Sequence, residues 1–185
     1  MVRLRLPQSM GKSSFVYVSL LIAATFLSGC GTMPGQAPLT DAEITQIVMS
    51  SNNGEIRQGE LATSRASSEA VRDFGRTLVS DHSAANQRTT ALAERSGITP
   101  LATDLTRKLE ANTERSLETL GTWRGSGFDR SFLDTQVQFY QWLLDTIDAN
   151  LLPSVSNPAL KEELEAQRGS VAVHLAHAQQ LRSSL

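Results

Sequence analysis

The sequence is poor in cysteine and in aromatic residues. It holds one cysteine, Cys30, among 185 residues, so no disulfide can form within the chain. Aromatic residues make up 5% of the chain, and the alternating apolar and polar runs typical of β-strands are missing. The apolar residues recur instead at helical spacing, which predicts an all-α fold.

The N-terminal segment has the anatomy of a bacterial export signal. Three basic residues precede an apolar or hydroxylated run at residues 15–27, which is shorter than the roughly 18 residues of a membrane-spanning helix. The run closes on Leu27-Ser28-Gly29-Cys30, which resembles the lipobox of bacterial lipoproteins. The three basic residues are Arg3, Arg5 and Lys12.

The lipobox resemblance implies cleavage before Cys30, with fatty acids such as palmitate on its sulfur and its new N-terminus. Residues 1–29 would then be a lipoprotein signal peptide, and residues 30–39 the lipidated cysteine and a flexible tether. Gly31, in place of aspartate, implies sorting to the outer membrane, with the domain facing the periplasm. An ordinary secretory signal with an incidental cysteine, or an uncleaved anchor, remains the alternative.

The exported part is mildly acidic. Three of the 17 basic residues lie in the signal, so 14 basic residues stand against 19 acidic ones, a formal charge of −5. With no cluster of Lys or Arg, the chain lacks the phosphate-neutralising surface of nucleic-acid binders. The lipid alone must then hold it at the membrane, and no protein partner can be named. No Gly-rich phosphate loop and no G-x-S-x-G motif is present, which favours a non-enzymatic role.

Cap signals divide residues 40–185 into five helices. Thr40-Asp41-Ala42-Glu43 is a capping-box pattern, and Asn157-Pro158 places proline at a first helical position. Gly97 is a stop signal, and Gly125-Ser126-Gly127 a predicted break. We predict helices at residues 41–65, 68–96, 104–121, 128–152 and 158–182. The four long helices predict an up-down four-helix bundle, with residues 104–121 as an additional short helix.

Each long helix places one polar, metal-competent side chain in its apolar stripe. These side chains are Glu55, His82, Tyr140 and His174. At 1.5 Å rise per residue, Glu55 and His82 lie within roughly 6 Å of the same depth, and bundles build metal sites from facing helices in this way. Asp81, at the edge of its stripe, is placed to orient an imidazole.

Structural roles stand beside the metal role for every one of these residues. A histidine or tyrosine on an apolar stripe is commonly a hydrogen-bonded core residue. A purely structural role is harder to assign to Glu55, because a buried carboxylate needs a cation or a hydrogen-bond donor. Trp123 and Trp142 fit either ordinary packing or an exposed partner surface.

Short motifs spread over residues 39–181 resemble a bacterial family catalogued as domain of unknown function 4142. They are Gly54-Glu55-Ile56, Leu61-Ala62, Val71-x-x-Phe74, Val79-x-Asp81-His82-x-x-x-Asn86, Leu92-Ala93, Phe128-Asp129-Arg130 and His174-Leu175 with Ala178. The resemblance implies an exported, ferritin-like helical bundle. It also implies a histidine where this chain has Tyr140, so a metal site would be reduced to Glu55, His82 and His174, with the phenol as a substitute ligand.

Two functions from different classes follow. The sequence favours a non-enzymatic envelope lipoprotein, a structural, interaction or stress-related module. The alternative is a metal-binding or redox bundle that holds iron, zinc or manganese through Glu55, His82 and His174. The Glu-x-x-His pairs of di-iron bundles are missing from the sequence, which favours the first function.

Overall fold

The computed structural model describes residues 38–185. The predicted signal peptide (residues 1–29), Cys30 and most of the tether lie outside the described residues. Within residues 38–185 the elements are helices, with no strand among them, which confirms the all-α prediction. The helices are α1 Asp41–Arg65, α2 Glu69–Ser96, α3 Asp104–Thr122, α4 Gly125–Thr146, α5 Leu152–Ser154 and α6 Pro158–Ser183.

The helix ends are set largely by local caps. The Thr40 hydroxyl accepts from the Glu43 amide at 3.3 Å, and the Glu43 carboxylate accepts from the Thr40 amide at 2.9 Å, which completes the predicted capping box. The Asn157 side chain caps the first amides of α6. Helix α2 ends at Gly97, whose φ of 65° lies in the left-handed region that glycine adopts without steric cost.

The fourth helix departs from the prediction at both ends. Gly125-Ser126-Gly127 is not a break: it forms the first turn of α4, because Gly125 takes a φ of 56° as the chain turns in. After Thr146 the chain continues as a π-helical turn, Ile147–Leu151, in which the Leu152 amide reaches back to the Ile147 carbonyl. Pro153 follows at once and has no amide to continue the α-helical ladder.

The long helices pack in pairs. Helix α1 lies against α2 and α4 against α6, while α2 also contacts α6 and the short α3 rests on α1. The α1–α2 approach is close at two glycines: a Cβ on Gly59 would stand 2.7 Å from the Gly75 carbonyl oxygen, and a Cβ on Gly75 2.8 Å from the Gly59 carbonyl oxygen. Any side chain at either position would force the two backbones apart.

One continuous hydrophobic core runs through the bundle. Its aromatic centre is formed by Phe74, Phe128 and Phe132, with ring centroids 6.1–6.2 Å apart. Such contacts add to the area term of the hydrophobic effect. The core is drawn from residues 44–178, so the described helices contain a complete core. None of these described helices combines the length and hydropathy needed to cross a membrane.

Two carboxylates, of which one is buried, hold the loops. Asp129 is almost fully buried, and its oxygens accept from the Ser67 and Ser68 amides at 2.9 Å each, across the α1–α2 loop. Asp41 accepts from the Ser156 and Asn157 amides at 2.8 and 3.0 Å, which joins the start of α1 to the α5–α6 loop. Bonds from carboxylates to amides are charge-assisted and stronger than neutral ones.

Candidate functional site

A buried carboxyl and phenol pair occupies the bundle interior. Glu55 on α1 and Tyr140 on α4 are both fully buried, and the Tyr140 hydroxyl donates to Glu55 Oε2 at 2.5 Å. The Gln58 amide donates to the other Glu55 oxygen at 3.4 Å, and Gln136 donates to Gln58 at 3.1 Å. Glu55 is therefore bonded to two neutral donors, Gln58 on the next turn of α1 and Tyr140 across the bundle, and not to a cation.

His82 on α2 is held by an amide. Its Nδ1 lies 2.9 Å from Asn52 Oδ1. Asn52 Nδ2 in turn donates to Gln167 Oε1 at 3.2 Å, so the oxygen of the Asn52 amide is the atom that faces the imidazole. His82 Nδ1 therefore carries the hydrogen, and Nε2 presents its lone pair.

His174 on α6 is held by a carboxylate. Its Nε2 lies 3.0 Å from Asp81 Oδ2. A carboxylate only accepts, so Nε2 carries a hydrogen, and in the neutral imidazole Nδ1 presents its lone pair. Asp81 keeps half of its side chain exposed while the His174 side chain is buried, and the orienting role of Asp81 stays a prediction.

The two imidazoles lie side by side. Their ring centroids are 5.2 Å apart, and the Tyr140 ring lies 5.8 Å from the His174 ring. Within residues 38–185, His82 Nε2 and His174 Nδ1 are buried and make no hydrogen bond. In the neutral rings these are the same two nitrogens that carry lone pairs. When both imidazoles are neutral, the pair thus presents two unpartnered ligand atoms in the bundle interior.

The buried groups have shifted proton affinities. Burial raises the pKa of Glu55 to about 7, although the hydrogen bond from Tyr140 opposes the shift. Burial, and then the charge of His174, lowers the pKa of His82 to about 3, so His82 stays neutral at ordinary pH. Burial and the neighbouring Glu55 raise the pKa of Tyr140 well above 10. Each shift favours the uncharged form, as desolvation requires.

The predicted site residues are therefore brought together in part. Glu55 meets Tyr140, His82 lies beside His174, and Asp81 bonds to His174. Across the described chain, no group of three or more His, Cys, Asp or Glu side chains is arranged to hold a metal ion. The metal role of Glu55, His82 and His174 stays a prediction. Of the three, only the two imidazoles are shown side by side.

Sequence reasoning missed the amides that order the site. Asn52, Gln136 and Gln167 are all buried, and Gln167 also donates to Thr89 at 2.9 Å. Their spacing was the available signal: Asn52 precedes Glu55 by three residues and Gln136 precedes Tyr140 by four, which puts each pair on one helix face.

A second feature is an open cleft between α3 and α4, of about 710 Å³. Its accessible aromatic wall is formed by Trp123, Phe139 and Trp142, and we call it the aromatic cleft. Gln58 lines its floor, so this residue separates the cleft from the buried Glu55–Tyr140 pair. The exposed-surface interpretation of the two tryptophans is thereby favoured over packing alone, since they are 48% and 37% exposed.

A family model described as Domain of unknown function (DUF4142) matches residues 30–181. The chain belongs to this family. The match confirms the family resemblance carried by the motifs around Glu55, His82 and His174. No curated protein matches this DUF4142 chain.

Among solved structures, the DUF4142 bundle is similar to one titled "CopM in the Cu(II)-bound form". The TM-score is 0.61 and the identity 13%, over 80% of this chain and 98% of that chain. At this identity the likeness shows a shared helical fold.

Proposed function

We propose that this protein binds a transition-metal ion, with copper preferred, between His82 and His174. We further propose that it does so as a ferritin-like lipoprotein anchored through Cys30 to the outer membrane, on the periplasmic side, and without enzymatic activity of its own. The observation that carries the metal proposal is the pair of buried, unpartnered imidazole nitrogens.

The first support is energetic. A buried polar atom without a partner costs on the order of 1–3 kcal/mol, and this interior contains two of them on neighbouring rings. A bound cation would satisfy both at once. Rings that share an ion through nitrogens about 2.0–2.1 Å from it have centroids about 4.5–6.4 Å apart, depending on the angle at the ion, and the observed separation is 5.2 Å.

The second support is the pair of groups behind the imidazoles. A metal-ligating histidine usually donates its other ring N–H to a carboxylate, carbonyl or water, which fixes the tautomer and raises ligand basicity. Asp81 does this for His174 and Asn52 does it for His82. The low pKa of His82 also fits, since a ligand must be unprotonated.

Copper is preferred over the iron, zinc or manganese considered from the sequence. Imidazole suits copper and zinc, and Cu²⁺ binds nitrogen ligands most tightly among the divalent first-row ions. The structural likeness to a protein titled as Cu(II)-bound supports the same choice. The Tyr140 ring lies 5.8 Å from the His174 ring and its hydroxyl is bonded to Glu55, so this pair is the nearest source of further oxygen donors. A nearby cation would favour the ionised form of Glu55.

The anchoring part has its support in the sequence alone. The Leu27-Ser28-Gly29-Cys30 motif ends the apolar run, and one acyl chain gives only marginal membrane binding, whereas several give stable attachment. Cys30→Ser is expected to move the protein from the outer-membrane fraction to the soluble periplasmic fraction. If the variant stays in the outer-membrane fraction, lipid attachment at Cys30 is refuted.

The metal proposal is tested with residues 31–185, which omit the thiol of Cys30 as a competing ligand. We expect one Cu²⁺ per chain by calorimetry and elemental analysis, and binding at least tenfold weaker in His82→Gln and His174→Gln. His177→Gln is the matched control, because His177 is the third histidine of the chain, lies on the same helix as His174 and is exposed. Circular dichroism checks that every variant is folded.

Two results would overturn the proposal. One is the absence of stoichiometric Cu²⁺ or Zn²⁺ binding by the folded protein. The other is binding that survives in the double variant of His82 and His174 but is lost in His177→Gln, which would place the ion on the surface.

A further inference from the structure

The aromatic cleft is independent of the buried histidines and has its own chemistry. Its volume of about 710 Å³ falls within the range of small-ligand pockets, roughly 300–1,000 Å³. It exists because α3 rests mainly on α1 and has few contacts with α4. The side chains that face each other across this gap are therefore left open to solvent.

Apart from the half-buried Leu105, the accessible apolar surface of the cleft is aromatic. Leu109 and Leu120 line it but are almost fully buried in the core. Trp123 and Trp142 remain substantially exposed. An amphipathic helix would need a groove of aliphatic and aromatic pockets for its anchor residues, so flat, exposed indoles favour a ligand with flat apolar faces.

The aromatic rings are held in place. Phe139 and Trp142 lie with centroids 5.7 Å apart and ring planes inclined by 33°, which makes a shallow platform. The Trp123 ring packs on Gly127, where an added Cβ would stand 3.2 Å from Trp123 Cε3. Both indoles are thus presented without needing to reorganise, which limits the entropy lost on binding.

Hydroxyl and amide groups surround the aromatic rings. Asn112, Ser116, Thr119 and Gln138 line the cleft and are exposed or half-buried. Each of these side chains can both donate and accept a hydrogen bond. A ligand rich in hydroxyl groups, with apolar C–H faces between them, would match both kinds of lining.

The charge of the cleft adds one more property of the ligand. Lys108 and Arg115 line it, and among the described ion pairs neither has an acidic partner, whereas the lining Asp134 is paired with Arg182. Arg115 does donate to the Asn112 amide oxygen, which leaves its charge uncompensated. Two cations without an acidic partner, on a domain whose formal charge is −5, favour a ligand that carries carboxylates, by electrostatic complementarity.

We propose that the aromatic cleft binds a carboxylate-bearing glycan, with sugar rings stacked on Trp123 and Trp142 and acidic groups at Lys108 and Arg115. The occupant is a saccharide chain, because indole faces among hydroxyl and amide groups match alternating C–H and O–H surfaces. Cell-wall glycan and acidic polysaccharides share this chemistry. The proposal does not depend on the metal site.

The chain supplies its own reporter for the test. Trp123 and Trp142 are the two tryptophans of the sequence, so the intrinsic tryptophan fluorescence reports on the aromatic cleft. The full-length protein in detergent is titrated with soluble fragments of bacterial cell-wall glycan, with alginate oligomers and with neutral chitotetraose. We expect a saturable change in fluorescence with at least one carboxylated glycan, and weaker binding of chitotetraose. Which carboxylated probe binds identifies the source.

Variants then separate stacking from charge, with affinity measured by calorimetry. Trp142→Ala should weaken binding of the carboxylated probe at least tenfold, and Arg115→Ala should weaken it more than it weakens chitotetraose binding. Gly127→Ala keeps both indoles but displaces Trp123, so it should also weaken binding in a protein of unchanged helicity. Val173→Ala is the control, because Val173 is an exposed apolar residue of α6 that does not line the cleft.

The proposal is overturned if none of the three saccharides changes the fluorescence. It is also overturned if Trp142→Ala and Gly127→Ala bind the carboxylated probe as tightly as the unmodified protein. Binding of a helical peptide in place of every saccharide would likewise refute it.

Discussion

Replacing Glu55 by glutamine should make the stability of the protein less dependent on pH. Glu55 is fully buried, and burial raises its pKa from 4.5 to about 7. The folded state therefore holds the proton more tightly than the unfolded state. The stability contributed by this proton is fully present below pH 4.5 and is lost as the pH rises through about 7.

The size of the effect follows from the two pKa values. One pKa unit corresponds to about 1.4 kcal/mol, so a shift from 4.5 to about 7 makes the folded protein about 3 kcal/mol less stable in alkaline than in acid solution. Between about pH 5 and about pH 8, we expect the ionisation of Glu55 to lower the free energy of unfolding by about 2–3 kcal/mol. Glutamine cannot ionise, so Glu55→Gln lacks the whole contribution.

The assay is urea denaturation of residues 31–185, with and without the substitution, across this pH range. The quantity to plot is the difference in unfolding free energy between the two proteins, because the contribution of His82 is common to both and cancels. That contribution has the opposite sign: the pKa of His82 is lowered to about 3, so its stabilisation is lost as pH falls below 6.5.

Tyr140→Phe provides a control on the cause. The Tyr140 hydroxyl donates to Glu55 and holds its pKa down. Without this hydroxyl, the loss of stability caused by ionisation of Glu55 should occur at a higher pH. A difference between the parent protein and Glu55→Gln that does not change with pH would refute the reasoning. It would mean that the carboxyl ionises as it does in water.

Three further predictions concern packing, loops and the proposed ion. Gly59→Ala and Gly75→Ala should each lower the melting temperature, since a Cβ would clash with backbone across the α1–α2 contact; an unchanged melting temperature would contradict the close approach. Asp129→Ala should destabilise the fold by about 2–4 kcal/mol in urea denaturation, because it leaves two amides unbonded; a loss below about 1 kcal/mol would argue against this. Asp81→Ala should weaken Cu²⁺ binding about 10- to 100-fold in calorimetry while His174 remains; equal affinity would show that the carboxylate does not orient the imidazole.

The helices follow from local chemistry, and the sequence predicts them closely. The predicted first helix, residues 41–65, matches α1, and the last differs from α6 by one residue. Capping boxes, proline at a first helical position and glycine after a last one act within a few residues of the chain. The fourth helix was less predictable, because its start depends on the positive φ of Gly125 and its end on a π-helical turn.

The candidate site was predictable as a set of faces but not as a set of contacts. Helical periodicity put Glu55, His82, Tyr140 and His174 on buried stripes, and all four are buried. It could not say that Glu55 would bond to Tyr140 while the histidines pair with each other. Those choices depend on the rotation and depth of each helix against its neighbours, which ridge-and-groove packing decides.

By itself, the sequence of this protein determined the helices and their apolar stripes, because each depends on residues close together in the chain. The tertiary structure alone decided which imidazole nitrogens lack a partner and which helices leave a cleft between them. The first depends on side chains far apart in sequence, Asn52 with His82 and Asp81 with His174, and the second on how α3 and α4 pack. Such pairings exist only once the helices have packed.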